Sequence, residues 1–268
     1  MHCGAVRTLL LIEVQEKLAG CFLNTNLVSH YKLCAPFRVY RREYIAKFTD
    51  HVFAKAISQI AEWQASGLHL SVAVKISALA LTDSSLAARL SALLDEYHVA
   101  PEDFTVEVTE TSSLADYEAS ARTLRSIADI GIGISIDDFG TGYTSIGYLK
   151  EFPVSELKID RLFIKDILES ERDLSIVSGM IQLAKGVGAP TVAEGVDDIA
   201  TLQALIDLGC DYAQGLYLCH PSAASNFTPD CREEIFKFPC DPTKTVFGTY
   251  PSRATTPILN RTITASGS

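Results

Sequence analysis

Ile136-Asp137-Asp138-Phe139-Gly140-Thr141-Gly142-Tyr143-Thr144-Ser145 reads as the end of a buried strand running straight into a glycine-rich turn. The apolar, β-branched residues that lead into it favour a strand. Side chains alternate along a strand, so the two adjacent carboxylates are expected to face opposite sides. The glycines let the backbone bend sharply and approach a ligand closely. A carboxylate pair so placed can serve two cations, or one cation and a water. Its oxygens suit hard ions such as Mg²⁺ or Mn²⁺. An acidic turn open to water would explain Asp137-Asp138 alone, whereas the run as a whole favours a built site.

Working outward, helix-like and strand-like segments alternate. Upstream, Phe53, Ile57, Ile60 and Trp63 fall at helical spacing behind Thr49 and Asp50, the expected N-caps. Trp63 is expected to pack in the core. Leu70 to Ile76 reads as a strand, and Asp83 or Ser84 caps a helix bearing Leu86, Leu90, Leu93 and Leu94. Phe104 to Thr109 is a strand, a helix over 116–130 carries Leu124 and Ile127, and Gly133 to Asp137 is the strand that ends in the carboxylates. Downstream come a short helix to about Leu149, a strand from Leu157 to Asp160 and a helix over 173–185 with Ile176, Met180, Ile181 and Leu183. A strand from Pro190 to Glu194, a helix from Ile199 to Leu208 and a strand-like segment from Tyr212 to Leu218 complete the series.

Strands separated by helices at this spacing predict parallel βαβ units, in an open doubly wound sheet or a TIM-type barrel. Lys75, Glu107, Glu110, Asp137, Asp138, Lys158, Asp160 and Glu194 all lie at strand C-terminal ends. In a barrel these ends converge on one mouth, which favours an α/β fold of modified TIM-type (β/α) barrel form. The barrel is expected over residues 46–238. Residues 1–45 are a divergent N-terminal segment, in which Val6 to Val14 and Phe37 to Tyr40 are candidate strands. Residues 239–268, rich in Thr, Ser and Pro, are expected to be a disordered tail.

The chain has 268 residues and is 47% hydrophobic, enough to bury one large core. Its net charge of −10 argues against a nucleic-acid polymer or an anionic membrane surface as partner. A nucleotide remains compatible, because metal ions neutralise phosphates locally. The seven cysteines show no CxxC pair and no metal-ligand spacing, so they read as reduced thiols of a cytoplasmic protein. No stretch reaches the ~20 apolar residues that span a bilayer. The apolar run Thr8 to Val14 includes Glu13, with Glu16 and Lys17 close behind, and does not read as a signal peptide.

In chain order the mouth residues are Val74-Lys75-Ile76-Ser77, Glu107-Val-Thr-Glu110, Asp137-Asp138-Phe-Gly-Thr-Gly, Lys158-Ile-Asp160-Arg161, Ala193-Glu194-Gly-Val and Ala213-Gln214-Gly. From about Val52 to Pro221 this series resembles the EAL family, the cyclic-di-GMP phosphodiesterases of bacterial second-messenger signalling. The resemblance implies a modified TIM barrel with one antiparallel strand. It also implies hydrolysis of one phosphodiester of cyclic-di-GMP to linear pGpG with two Mg²⁺ or Mn²⁺ ions. On the same resemblance Glu107 and Asp137 are metal ligands, and Asp138 holds the second metal. Lys158 orients or activates the attacking water, and Glu110 steadies the loop from Phe139 to Ser145. Glu194 and Gln214 lie near the metals and the water.

Two positions depart from the family. Its Glu-Ala-Leu motif, whose Glu ligates metal, has no match in residues 1–50, Glu13-Val14-Gln15 being the nearest imitation. Lys75 stands where the family has a metal-binding Asn. A protonated lysine has donors only and cannot coordinate a cation. Repulsion between an ammonium and an incoming divalent ion at ~4–6 Å is worth several kcal/mol at intermediate dielectric. Lys75 is therefore expected to act as an internal counter-ion for the carboxylates. The function expected is that of a degenerate phosphodiesterase that binds cyclic-di-GMP or docks a partner. The alternative is an active phosphodiesterase that recruits Glu13 or Glu16. Sheet edges left by altered first strands are expected to be closed either by strands from residues 1–45 or by a second copy in a homodimer.

Other motifs carry less. Asp138-Phe139-Gly140 spells a kinase signature, but no lysine-bearing glycine loop accompanies it. Gly131-Ile-Gly lacks the third glycine of a dinucleotide fingerprint. His220 stands where the family often carries Arg, and reads as a loop residue.

Overall fold

The structure, a computed structural model, describes residues 9–12, 37–110, 117–142, 149, 152–218, 224 and 262–263. Its strands are β1 (Leu9–Ile12), β2 (Ser71–Ile76), β3 (Phe104–Thr109), β4 (Gly133–Phe139), β5 (Glu156–Ile159), β6 (Thr191–Glu194), β7 (Tyr212–Gln214) and β8 (Thr262–Ile263). Its helices are α1 (Phe37–Ala65), α2 (Ala78–Leu81), α3 (Leu86–Tyr97), α4 (Tyr117–Asp129), α5 (Arg161–Ile164), α6 (Glu171–Val187) and α7 (Ile199–Asp207). The strands form one sheet in the order β7-β6-β5-β4-β3-β2-β1-β8, an α/β arrangement of half-barrel form.

Every strand pair among the described residues is parallel, so the antiparallel strand implied by the resemblance is not found there. The first pair shows why. The connection from β1 to β2 contains the long helix α1, and a helical crossover returns the chain parallel, whereas an antiparallel neighbour is reached by a tight hairpin.

The strands read as the alternation predicts. On β3, β4 and β5 the residues Val106, Val108, Ile134, Ile136, Leu157 and Ile159 are buried against the helices. Between them Thr105, Glu107, Ser135, Asp137, Glu156 and Lys158 are also buried, on the other face. A polar column therefore runs up the inner side of the sheet. Phe53, Ala56, Ile57, Ile60 and Trp63 give α1 its buried stripe. The Phe53 and Phe104 rings meet edge to face, 5.6 Å between centroids at 89°. A second core cluster joins β5, β6 and β7 to α5, α6 and α7 through Ile159, Ile164, Val177, Ile181, Ala193, Leu202, Leu205 and Ala213. Met180 packs against both clusters.

Several expectations are corrected. Thr49 and Asp50 do not cap a helix; they lie inside α1, where Thr49 is buried and Asp50 accepts a bond from the Arg89 Nε at 2.8 Å. Phe37 to Tyr40 is the start of that helix rather than a strand. Helix α3 begins after Ser85, whose N–H and hydroxyl donate to Asp83 Oδ1, so Asp83 braces the turn before the helix instead of capping it. The N-terminal segment does supply a strand, β1, paired with β2 in the register Leu9 to Ser71. Within the expected tail, Thr262–Ile263 pair with β1, and the rest of it lies outside the described residues, as do Glu13, Glu16 and the short helix before Leu149.

Candidate active site

At the C-terminal ends of the strands the polar column becomes a cluster of charges. The register places Lys75 of β2 beside Glu107 of β3, Thr109 beside Asp137 of β4, and Glu194 of β6 beside Gln214 of β7. Lys158 of β5 stands among three carboxylates. Its ammonium lies 3.2 Å from Glu107 Oε2, 3.4 Å from Asp137 Oδ1 and in closer contact with Glu194 Oε1.

The Asp-Asp pair departs from simple alternation. Between Ile136 and Phe139, β4 carries one residue more than β5, so Asp137 and Asp138 together oppose Lys158. Such a bulge re-aims side chains next to a site. Asp138 takes the left-handed conformation, φ 56°, which Asp tolerates better than most residues. Both carboxylates consequently reach one partner: the Lys75 ammonium donates to Asp137 Oδ2 at 2.5 Å and to Asp138 Oδ2 at 3.4 Å.

Glu110 lies just after β3 and holds the turn that follows. Its Oε2 accepts from the Gly140 N–H at 2.8 Å and the Gly142 N–H at 3.1 Å. The glycines make this approach available. Gly140 has φ 97°, and a Cβ on Gly142 would sit 2.9 Å from the Glu110 carboxyl carbon. Residues 143–145 of the loop lie outside the described residues. Asp160, grouped with the mouth residues by sequence, instead caps α5 by accepting from the Leu162 N–H at 2.7 Å.

Burial and close charges move the titrations apart. Glu107 is raised to about 8, chiefly by burial, with the Asp137 charge reinforcing the shift and Lys158 opposing it. Burial pushes Asp137 up as well, but Lys158 and Lys75 outweigh it and hold the group at about 2. Glu194 is raised by burial against the pull of Lys158, and Asp138 by burial and the Asp137 charge. Burial disfavours charge on Lys158 and Lys75, yet the surrounding carboxylates raise both above the ordinary lysine value. The ammonium groups therefore stay charged at neutral pH, and Glu107 carries a proton. Glu107 Oε1 and Asp137 Oδ1 are buried without a hydrogen-bond partner among the described residues, and the Lys158 ammonium stands 3.4 Å from Asp137 Oδ1.

The donor set fits a hard cation in part. One oxygen each from Asp137, Asp138 and Glu194 lies within 4.8 Å of the others, the oxygen chemistry that Mg²⁺ or Mn²⁺ prefers. Glu107, expected as a ligand, is not in that group and pairs with Lys158 instead. Glu194, expected only near the metals, is. The Lys75 ammonium rests on two of the three carboxylates, so an ion must displace it. Below this cluster the Ser135 hydroxyl donates to Glu156 Oε1 at 2.8 Å, a buried pair that the motifs do not mark. Alternation along β4 and β5 was the available signal for it.

Comparison with known proteins places the chain in a family. The model of the EAL domain matches residues 34–221. The chain belongs to the EAL family. Among its relatives are two proteins of Pseudomonas aeruginosa. The bifunctional diguanylate cyclase/cyclic di-GMP phosphodiesterase MucR is 38% identical over 181 residues, 67% of this chain and 26% of MucR. The cyclic di-GMP phosphodiesterase RocR is 32% identical over 187 residues, 70% of this chain and 48% of RocR. The signaling protein YkoW of Bacillus subtilis is 36% identical over 176 residues, 66% of this chain and 22% of YkoW. The EAL chain thus spans between about a fifth and a half of the length of these relatives. Among solved structures, the MucR phosphodiesterase in complex with cyclic-di-GMP superposes with a TM-score of 0.65 at 36% identity, covering 70% of this chain and 76% of that one. The EAL domain of Mycobacterium smegmatis DcpA gives 0.62 at 32% identity, covering 65% and 79%. No helix among the described residues is long and apolar enough to cross a membrane.

Proposed function

We propose that this EAL chain binds cyclic-di-GMP at the mouth formed by Lys75, Asp137, Asp138, Lys158 and Glu194, and is degenerate as a phosphodiesterase. The observation that carries the reading is the Lys75 ammonium, 2.5 Å from Asp137 and 3.4 Å from Asp138. It neutralises the carboxylates that a catalytic Mg²⁺ or Mn²⁺ would need, and such an ion would supply the nucleophilic water. In its place the chain offers charge and shape. Lys158 is buried, charged and fixed among carboxylates, so it holds Glu107, Asp137 and Glu194 together and has no lone pair with which to take a proton. Glu110 sets the Gly140–Gly142 turn, and Gln214 lies beside Glu194 in the sheet register. The protein then works as a nucleotide-binding or interaction module.

Calorimetric titration with cyclic-di-GMP, alongside a chromatographic time course in excess Mn²⁺ or Mg²⁺, tests this. Saturable binding with the nucleotide left intact is the expected outcome. Sustained formation of pGpG over many turnovers overturns it and favours a second reading, an active phosphodiesterase. One observation speaks for that reading: Asp137, Asp138 and Glu194 still present three oxygens to a single point, with Lys158 beside them.

A further inference from the structure

We infer that Lys75 is a tethered cation: its ammonium bridges Asp137 and Asp138 to a phosphodiester of the bound nucleotide, so that binding needs no metal ion. This rests on the reading of the mouth as a cyclic-di-GMP site and goes beyond it by naming what neutralises the ligand there.

The mouth poses an electrostatic problem. Asp137, Asp138 and Glu194 converge, and a phosphodiester approaching them meets like charge. A cation has to stand between. Two ammonium groups among the described residues belong to the cluster, and they differ in access. The Lys158 side chain is 1% exposed and hemmed by Glu107, Asp137 and Glu194, whereas the Lys75 side chain is 35% exposed. An ammonium has three donors. Lys75 spends two on Asp137 and Asp138, which leaves one for a ligand oxygen on its open side.

The same contacts make it a competitor of metal. A divalent ion needs the oxygens that Lys75 holds, and the expelled ammonium would stay beside the ion because β2 fixes its backbone next to Glu107. The covalent link to the sheet gives Lys75 the advantage of an intramolecular partner over an ion drawn from solution. An amide at this position reverses the relation. Asparagine is shorter, uncharged, and offers a carbonyl oxygen, a hard-cation ligand.

The test compares the wild-type chain with Lys75→Asn and Lys75→Met, each shown to melt cooperatively. Cyclic-di-GMP is titrated calorimetrically in EDTA and in excess Mn²⁺, and Mn²⁺ alone is titrated by loss of the free-ion paramagnetic resonance signal. The wild type is expected to bind the nucleotide equally well in both buffers. Lys75→Met should weaken binding in both by about tenfold or more, the effect of truncating one partner of a hydrogen-bonded charge pair. Lys75→Asn should weaken it similarly in EDTA, recover in Mn²⁺, and bind Mn²⁺ itself about tenfold more tightly than the wild type, because ligand number and charge set such affinities. A wild type that binds the nucleotide only with Mn²⁺ overturns the inference, without recourse to any variant. If the nucleotide binds but Lys75→Asn gains no Mn²⁺ affinity, the tethered cation is wrong while the cyclic-di-GMP reading stands. No nucleotide binding in either buffer removes that reading and this inference with it.

Discussion

Glu107 has no exposed surface and sits between the Lys158 ammonium and Asp137. Its folded-state titration, raised from 4.5 to about 8, sets a pH dependence whose sign follows from proton linkage. Between these two values the folded chain holds a proton that the unfolded chain has lost, so stability falls as pH rises through that window. Asp137 works in the opposite sense. Held at about 2, it adds stability above its ordinary value that is lost only as pH falls through about 2. Melts of the wild type from pH 5 to 8 should therefore show a declining Tm, and Glu107→Gln should flatten the decline. A Glu107→Gln profile parallel to the wild type would show that another group carries the effect. Lys75 and Lys158 belong to the same scale. Both remain charged across this range, so neither contributes to the slope directly.

The element that makes the mouth is the end of β4, where a bulge and a turn are held in place from the neighbouring strand. Glu110 accepts from the Gly140 and Gly142 N–H groups with a single oxygen, Oε2. Removing that oxygen leaves two part-buried donors without this acceptor, at ~1–3 kcal/mol for each group that finds no water. Glu110→Ala should accordingly speed hydrogen exchange at Gly140 and Gly142 and lower stability, while Glu110→Gln, which keeps a carbonyl oxygen, should retain most of the protection. Equal exchange in the two variants would mean that the turn holds itself. The bulge also accounts for an error of expectation. Alternation along an ideal strand sends neighbouring carboxylates to opposite faces, but the extra residue and the left-handed Asp138 bring both to Lys75.

At the scale of the molecule, two apolar clusters among the described residues brace the sheet, one around α1, α3 and α4 and one around α5, α6 and α7. The Phe53–Phe104 contact ties α1 to β3, the strand that carries Glu107. Each ring is fully buried, so truncation to alanine should cost ~3–5 kcal/mol in urea unfolding. Because the rings touch, the double variant should fall short of additivity by ~0.5–1.5 kcal/mol, the value of an aromatic pair beyond its buried area. Strict additivity would mean that α1 and β3 are stabilised independently.

The sequence by itself determined the elements and the chemical inventory of the mouth. Phe104–Thr109 was legible as a strand to the residue, and Ile199–Asp207 as a helix nearly so, because periodic burial is written in neighbouring positions. Trp63 was legible as core for the same reason. The placement of Lys75, Glu107, Asp137, Lys158 and Glu194 at strand ends followed once the strands were known. The tertiary structure alone decided which of these charges meet. Lys75 and Asp137 are 62 residues apart in sequence, and Lys158 and Glu107 are 51 apart. Only the register of parallel strands and a one-residue bulge bring them into contact. Thr49 and Asp50 likewise lie inside α1, where the Arg89 that donates to Asp50 comes from 39 residues away. Local patterns fix local conformation; the pairing of charges depends on distances between strands that no local pattern encodes.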